Sequence, residues 1–193
     1  MDHARSVLDK LNSTWHENAL LAFLAVVIAH LSEHAVQAVQ IFALGWPRPD
    51  SRGIFGEWFP WLVTSETLHY VYAVITLAGL AVLLPAFTGR ARFFWQLALV
   101  FQFWHHFEHA LLLSQRIVGH PFFGQGVPTS VLQLYFPRVE LHLFYNGIVF
   151  VPMVIAFILH MYPPHWETQR RICGCAKIRK AETAGGTVTG LVA

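Results

Sequence analysis

The sequence has few charged residues and almost no lysine. Charged residues make up 12% of its 193 residues, about half the share of roughly 25% in an average soluble domain. The only lysines are Lys10, Lys177 and Lys180, near the two ends of the chain. This deficit indicates a surface that largely faces lipid. The absence of lysine from the apolar segments excludes a retinal Schiff base, and a net charge of +2 gives no sign of nucleic-acid binding.

Cysteine is equally scarce. The two cysteines, Cys173 and Cys175, stand in the basic stretch RRICGCAKIRK just after the last apolar segment. Two cysteines so close together do not form a disulfide framework. The pair is compatible with a soft-metal site, for example for copper, with lipid attachment, or with a reduced thiol pair beside a membrane surface, where basic residues attract anionic lipids.

Long apolar segments are abundant. A helix that crosses a bilayer needs about 20 mostly apolar residues, and four segments meet this requirement. They are residues 19–44, 61–87, 93–118 and 139–162. The sequence therefore predicts an all-α integral membrane protein: a four-transmembrane-helix bundle that runs up-down-up-down and interacts with the lipid bilayer.

The predicted organisation has three parts. Residues 1–18 form a short amphipathic segment at the membrane surface, residues 19–162 form the membrane domain, and residues 163–193 form a basic, disordered cytoplasmic tail. Four spans would place both termini and the turn TGRAR on one side, which then carries nine lysines and arginines against about four on the other. Because positive charge accumulates on the cytoplasmic side, we expect cytoplasmic termini and a bacterial inner membrane.

Each apolar segment also contains a glutamate and at least one histidine. An acidic residue at mid-membrane costs about 2.5–3.5 kcal/mol on insertion scales, so four unpaired glutamates would cost on the order of 10 kcal/mol, as much as the stability of a whole domain. These side chains must be paired, neutral or bound to metal. The set comprises Glu33, Glu66, Glu108 and Glu140 with His30, His34, His69, His105, His109 and His142.

The spacing of these residues favours metal binding. The motif H-x-x-E-H occurs twice, as HLSEH (30–34) and HHFEH (105–109), and positions i, i+3 and i+4 share one helix face. At about 1.5 Å rise per residue, the motifs of all four segments reach a similar depth. Glutamate and histidine on facing helices hold two metal ions in soluble carboxylate-bridged bundles. We therefore expect a metal site here.

The predicted ligands are the histidines and glutamates at this depth, with Glu33 and Glu108 as catalytic carboxylates. The full ligand set is His30, Glu33, His34, Glu66, His69, His105, Glu108, His109 and His142. Polar neighbours would orient the ligands from a second layer. That layer is Gln37, Gln102, Glu140, Tyr145 and Asn146. His106, His120 and His160 are interpreted as structural or exposed.

Two short resemblances accompany the motifs. H-x-x-E-H resembles the zinc-binding signature of inverzincin proteases. His30-x-x-x-His34 resembles the first histidine box of the membrane fatty-acid desaturases and hydroxylases. Each resemblance covers only a few residues and assigns the chain to no family.

The leading functional hypothesis is a membrane oxidoreductase with a dinuclear site. Two metal ions, iron in preference to zinc or copper, would catalyse the oxygen-dependent oxidation of a lipid-soluble substrate in the outer half of the bilayer. A redox partner or a larger membrane complex is the expected protein partner. Three alternatives stay open: a haem- or metal-binding subunit of an electron-transfer complex, since paired imidazoles can clamp a porphyrin; an intramembrane zinc hydrolase; and a purely structural polar network.

Overall fold

The computed structural model describes residues 6–164 and 173–175, and this part of the chain is helical and contains no strand. The predicted disordered tail (163–193) lies almost entirely outside the described residues. Seven α-helices follow one another along this described part of the chain. They are α1 (Val7–Leu11), α2 (His16–Ala38), α3 (Phe55–Trp58), α4 (Trp61–Thr64), α5 (Glu66–Leu83), α6 (Gly89–Val118) and α7 (Arg138–Met161).

Several short helical turns complete the architecture. A π-helical turn, Val39–Ala43, continues α2, and a 3₁₀ turn, Leu84–Ala86, continues α5. Two further 3₁₀ turns, Arg48–Asp50 and Leu132–Leu134, lie in the connections that precede α5 and α7. We call the end of the molecule that carries these two long connections the loop end. The opposite end, with the start of α2, the α5–α6 turn and the end of α7, is the terminal end.

Three helices in the described chain are long and apolar enough to cross a membrane: His16–Ala43, Glu66–Ala86 and Arg138–Met161. Membrane association is therefore supported. The predicted third span, residues 93–118, falls within α6, which has 30 residues but is not one of these three. Helix α6 contains many polar residues whose side chains are buried, among them Gln102, Glu108 and Gln115. These residues lower the mean hydropathy of the helix. Four spans and the direction of the termini stay predictions.

The second span begins later than the sequence predicts. Ser65 has an extended backbone (ψ 107°), and its hydroxyl accepts a hydrogen bond from the Leu68 N–H at 3.3 Å. Serine is a favoured N-cap because its oxygen satisfies an N–H that has no partner in the first helical turn. Trp61–Thr64 therefore forms a separate turn, and α5 starts at Glu66.

Helix packing places the apolar core toward the terminal end. Helix α6 packs along α5 and α7, and α2 contacts the same two helices. Leu20, Leu80, Trp95 and Met153 are fully buried where these helices meet. The Trp95 indole N–H donates to the Leu80 carbonyl at 2.8 Å. The side chains that the sequence predicts as metal ligands lie in the other half, toward the loop end.

Polar side chains of α2 and of the π-helical turn that continues it fasten the α2–α5 connection at the loop end. The Gly53 N–H donates to Gln40 Oε1 at 2.9 Å. The backbone of Gly53 has a φ of +77°, and a Cβ at this position would collide with the carboxylate of Glu33. Glycine is thus required here both for its left-handed conformation and for the close approach of Glu33. The connection folds back over the side chains near the end of α2.

Candidate metal centre

Six histidines from the four long helices converge near the loop end, and we call this group the histidine centre. Helix α2 supplies two, α5 one, α6 two and α7 one. Its members are His30, His34, His69, His105, His109 and His142. All six were predicted as ligands from the sequence, and the structure brings all six together.

Each H-x-x-E-H motif forms a close histidine pair. The Nε2 atoms of His30 and His34 are 2.9 Å apart, and those of His105 and His109 are also 2.9 Å apart. Two nitrogens bound to one ion at about 2.05 Å lie about 2.9 Å apart at a right angle and about 3.3 Å apart at the tetrahedral angle. An N–H···N hydrogen bond has a similar length. Each pair is thus spaced for a shared ion or a shared proton.

His142 lies between the two pairs. Its ring centroid is 4.3 Å from that of His34 and 5.2 Å from those of His105 and His109. Two trios of ligand atoms, each within 4.8 Å, result: one joins His142 to the α2 pair, and one joins it to the α6 pair. In the described part of the chain, Nε2 of His142 is buried and has no hydrogen-bond partner. A cation would satisfy this nitrogen.

Two neighbouring groups orient rings of the centre. The Nδ1 of His69 donates to the Ser65 carbonyl at 2.9 Å, and the Nδ1 of His34 donates to Gln37 Oε1 at 2.7 Å. Because a carbonyl oxygen can only accept, Nδ1 carries the proton in both rings, and Nε2 keeps a lone pair. Metal-binding histidines are held by such outer hydrogen bonds. Gln37 was predicted in this role.

The glutamates of the two motifs contact loop backbone. The carboxylate of Glu33 accepts from the N–H groups of Ile54 at 2.8 Å and Phe55 at 3.2 Å. The carboxylate of Glu108 accepts from the Leu132 N–H at 3.3 Å. In each motif the glutamate therefore fastens the connection that follows its helix, while the two histidines face the centre. The predicted catalytic roles of both glutamates are not tested by these contacts.

The other two glutamates form ion pairs with arginines. Glu66 Oε1 lies 2.6 Å from Arg138 Nη2, and Glu140 pairs with Arg48. The second oxygen of Glu66 is buried and has no partner within the described residues. Glu66 therefore keeps one oxygen available and lines the cavity with His69. Glu140, whose second oxygen is likewise buried without a partner in the described residues, links α7 to the α2–α5 connection.

The remaining predicted neighbours of the ligands lie on surrounding helices. The Gln102 amide donates to the Ala73 carbonyl at 3.0 Å and joins α6 to α5. Tyr145 accepts from the Trp104 indole at 2.6 Å, and its ring is 4.7 Å from that of His105. Asn146 donates to the His142 carbonyl on its own helix at 2.9 Å. Of these three described side chains, only that of Tyr145 packs against a histidine ring of the centre.

A cavity of about 380 Å³ reaches the histidine centre beneath the α2–α5 connection. Three histidines of the centre line it: His34, His69 and His142. Three arginines and one glutamate also line it: Arg48, Arg52, Arg138 and Glu66. A second space of about 20 Å³, lined by Glu108 and the α6 pair, lies on the other side of His142. The larger cavity can admit a small molecule or one end of a larger one.

A second cluster lies at the terminal end. His16, His160, Cys173 and Cys175 offer four ligand atoms within 4.8 Å of one another, and all four residues are buried. A hydrogen bond with the Cys175 side chain is the main cause that lowers the pKa of the Cys173 thiol to about 3, and it outweighs the effect of burial. The sequence predicted a soft-metal role as one use of the cysteines, but nothing in it placed His16 or His160 beside them.

No known family model, curated protein or solved structure matches the chain. The chemistry of the two clusters is therefore the basis for inferring function.

Proposed function

We propose that the protein is a membrane-embedded metal-dependent oxidoreductase whose histidine centre binds two redox-active metal ions. Iron is the favoured metal, as the sequence suggested. The observation that carries the proposal is the convergence of two histidine trios, one from each H-x-x-E-H motif, on the shared ring of His142.

The ligand set supports a first-row transition metal. Imidazole suits iron, copper, zinc and nickel, whereas magnesium, calcium and manganese prefer oxygen ligands. Glu33 and Glu108 are engaged by loop N–H groups, and the ligand atoms of the two trios are all imidazole nitrogens. One ion belongs with the α2 pair and the other with the α6 pair, and His142 lies between them. His69 faces the same space from α5.

The larger cavity supplies an entry for the substrate. Its wall joins three rings of the centre to Arg48, Arg52 and Arg138 at the loop end. Guanidinium groups bind carboxylates and phosphates with directed hydrogen bonds. A lipid-soluble substrate with an acidic head group would present that group to the arginines and place the adjoining atoms beside the ions.

The geometry within each histidine pair favours a shared ion over haem. Two imidazoles on opposite sides of a porphyrin iron lie about 4 Å apart, at roughly 2.0 Å from the metal each. The paired Nε2 atoms here are 2.9 Å apart and come from neighbouring turns of one helix. A porphyrin ring does not fit between them.

A zinc hydrolase is the second candidate, and Glu66 favours it. One carboxylate oxygen of Glu66 is buried without a partner in the described chain and lines the cavity next to His69. A carboxylate in this position can accept a proton from a zinc-activated water. The metal bound by the purified protein separates this candidate from the oxidoreductase.

The proposal is tested by metal content and reaction with oxygen. Detergent-purified protein is analysed by plasma mass spectrometry, then reduced chemically and mixed with oxygen while its absorption is followed. We expect about two irons per chain and rapid reoxidation. The His34→Ala/His109→Ala variant should lose both the iron and the oxygen reaction, because each trio loses a ligand.

His106→Ala provides the matched control. His106 neighbours His105, but its ring lies against Tyr70 at 5.1 Å and belongs to neither trio. This variant should keep its iron. Zinc in place of iron, lost in the His34→Ala/His109→Ala variant, would favour the hydrolase. A wild-type protein that holds no metal that this variant loses would refute both candidates.

A further inference from the structure

The cluster at the terminal end joins three separate parts of the chain. His16 begins α2, His160 lies in the last turn of α7, and Cys173 and Cys175 follow that helix. Both histidines are 0% exposed, and the cysteines are 7% and 3% exposed. Four side chains of the types that bind metal therefore meet in one buried space, although they come from separate stretches of the sequence.

The two histidines are positioned for ligation. Nδ1 of His16 donates to the Leu11 carbonyl at 3.0 Å, which leaves the lone pair on Nε2. A backbone carbonyl in this position is the usual outer partner of a metal-binding histidine. In the described residues, Nδ1 of the fully buried His160 has no hydrogen-bond partner, and its Nε2 lies 3.3 Å from the Cys173 sulfur.

The nitrogen–sulfur distance agrees with a shared ion. With zinc–nitrogen and zinc–sulfur bonds of about 2.05 and 2.3 Å, two ligands at the tetrahedral angle lie about 3.5 Å apart. The observed 3.3 Å between His160 Nε2 and Cys173 Sγ is close to this value. The four ligand atoms lie within 4.8 Å of one another, so a small adjustment brings all four onto one ion.

The apolar surroundings of the cluster favour a metal complex that carries no net charge. The ring of Phe87, itself fully buried, is 4.4 Å from that of His160 and 5.6 Å from that of His16. Met161 and Phe157 pack beside the cysteines. A buried charge is costly unless it is compensated. Two thiolates and two neutral imidazoles around a divalent ion carry no net charge, which suits this environment.

We propose that His16, His160, Cys173 and Cys175 form a second, structural metal site that binds one zinc ion. Four protein ligands in a tetrahedral set of two sulfurs and two nitrogens are typical of structural zinc. The ion would tie the chain after α7 to the start of α2. This site is independent of the histidine centre and needs no substrate.

The site can be tested on the wild-type chain by X-ray absorption at the zinc edge. We expect one zinc per chain, with two sulfurs at about 2.3 Å and two nitrogens at about 2.0–2.1 Å. After chelation, added cobalt should produce a thiolate-to-cobalt charge-transfer band and the visible absorption of tetrahedral cobalt. A zinc shell without sulfur, or copper in place of zinc, would overturn the assignment.

Variants separate the two sites. Cys173→Ser/Cys175→Ser should lose the one zinc and keep the metal of the histidine centre, whereas His34→Ala/His109→Ala should keep the zinc. Helical circular dichroism reports whether each variant folds. A serine variant that is folded and holds as much zinc as the wild type contradicts the proposal. If it does not fold, the cobalt experiment on the wild type decides.

Discussion

The two H-x-x-E-H motifs share an internal geometry and differ in what surrounds them. In both, the histidine pair has Nε2 atoms 2.9 Å apart, and the glutamate accepts from loop N–H groups. The α2 motif opens on the cavity of about 380 Å³, whereas the α6 motif faces a space of about 20 Å³. Helix geometry makes the motifs alike, whereas tertiary contacts open the first motif to the larger cavity and leave the second enclosed.

The outer hydrogen bonds of the two motifs also differ. Gln37 orients His34, but Nδ1 of His105 and Nδ1 of His109 are buried without a partner in the described chain. Outer partners raise the affinity of a histidine for metal. The α2 side should therefore bind its ion more tightly than the α6 side does.

Replacing the shared ring should have the largest effect. His142 belongs to both trios, so we expect His142→Ala to lower the metal content on both sides, while His34→Ala and His109→Ala each remove about one ion. Titration of the metal-free proteins, followed by elemental analysis, measures this. Equal losses in all three variants would show that the two sides are not separate.

Removing the outer partner of His34 should have an intermediate effect. Loss of such a hydrogen bond lowers metal affinity by about 10- to 100-fold. Gln37→Ala should therefore weaken the first ion by this factor and abolish the difference between the two sides. Competition with a chelator of known affinity provides the measurement, and an unchanged affinity would show that Gln37 plays no orienting role.

Replacing the glutamates should affect stability more than metal content. Hydrogen bonds to a charged group contribute about 1.5–3 kcal/mol. Glu33→Ala should lower the free energy of unfolding by about this amount, because Ile54 and Phe55 lose their acceptor. Glu108→Ala, with one acceptor bond from Leu132, should cost less. Thermal unfolding in detergent compares the two.

Metal analysis of the same glutamate variants tests their roles directly. Variants that keep their ions would identify Glu33 and Glu108 as residues that fasten loops. Variants that lose their ions although the protein is folded would identify them as ligands, as the sequence predicted.

Much of the helical architecture follows from the sequence alone. Apolar segment length predicted four spans, and three of them correspond to described helices long and apolar enough to cross a membrane. The spacing i, i+4 predicted the histidine pairs. The second span was predicted to start near Trp61 and starts instead at Glu66, because an apolar run does not reveal that Ser65 caps the helix. The third predicted span, in α6, stays a prediction, because polar residues buried along one side of this helix lower its mean hydropathy.

The contacts of the glutamates could not be foreseen in the same way. Spacing on a helix places Glu33 on the face shared with His30 and His34, but its partners are the N–H groups of Ile54 and Phe55, some 20 residues away. Likewise, His16 and the cysteines meet only after the helices pack. Side chains on one helix are predictable from its period, whereas contacts between segments need the fold.

The most direct test of the histidine centre is metal analysis of the Cys173→Ser/Cys175→Ser protein, in which the second cluster is disabled. Two redox-active ions per chain, lost when His34→Ala and His109→Ala are added, are the predicted result. A folded Cys173→Ser/Cys175→Ser protein that binds no transition metal would contradict the account and leave the six histidines as a structural network.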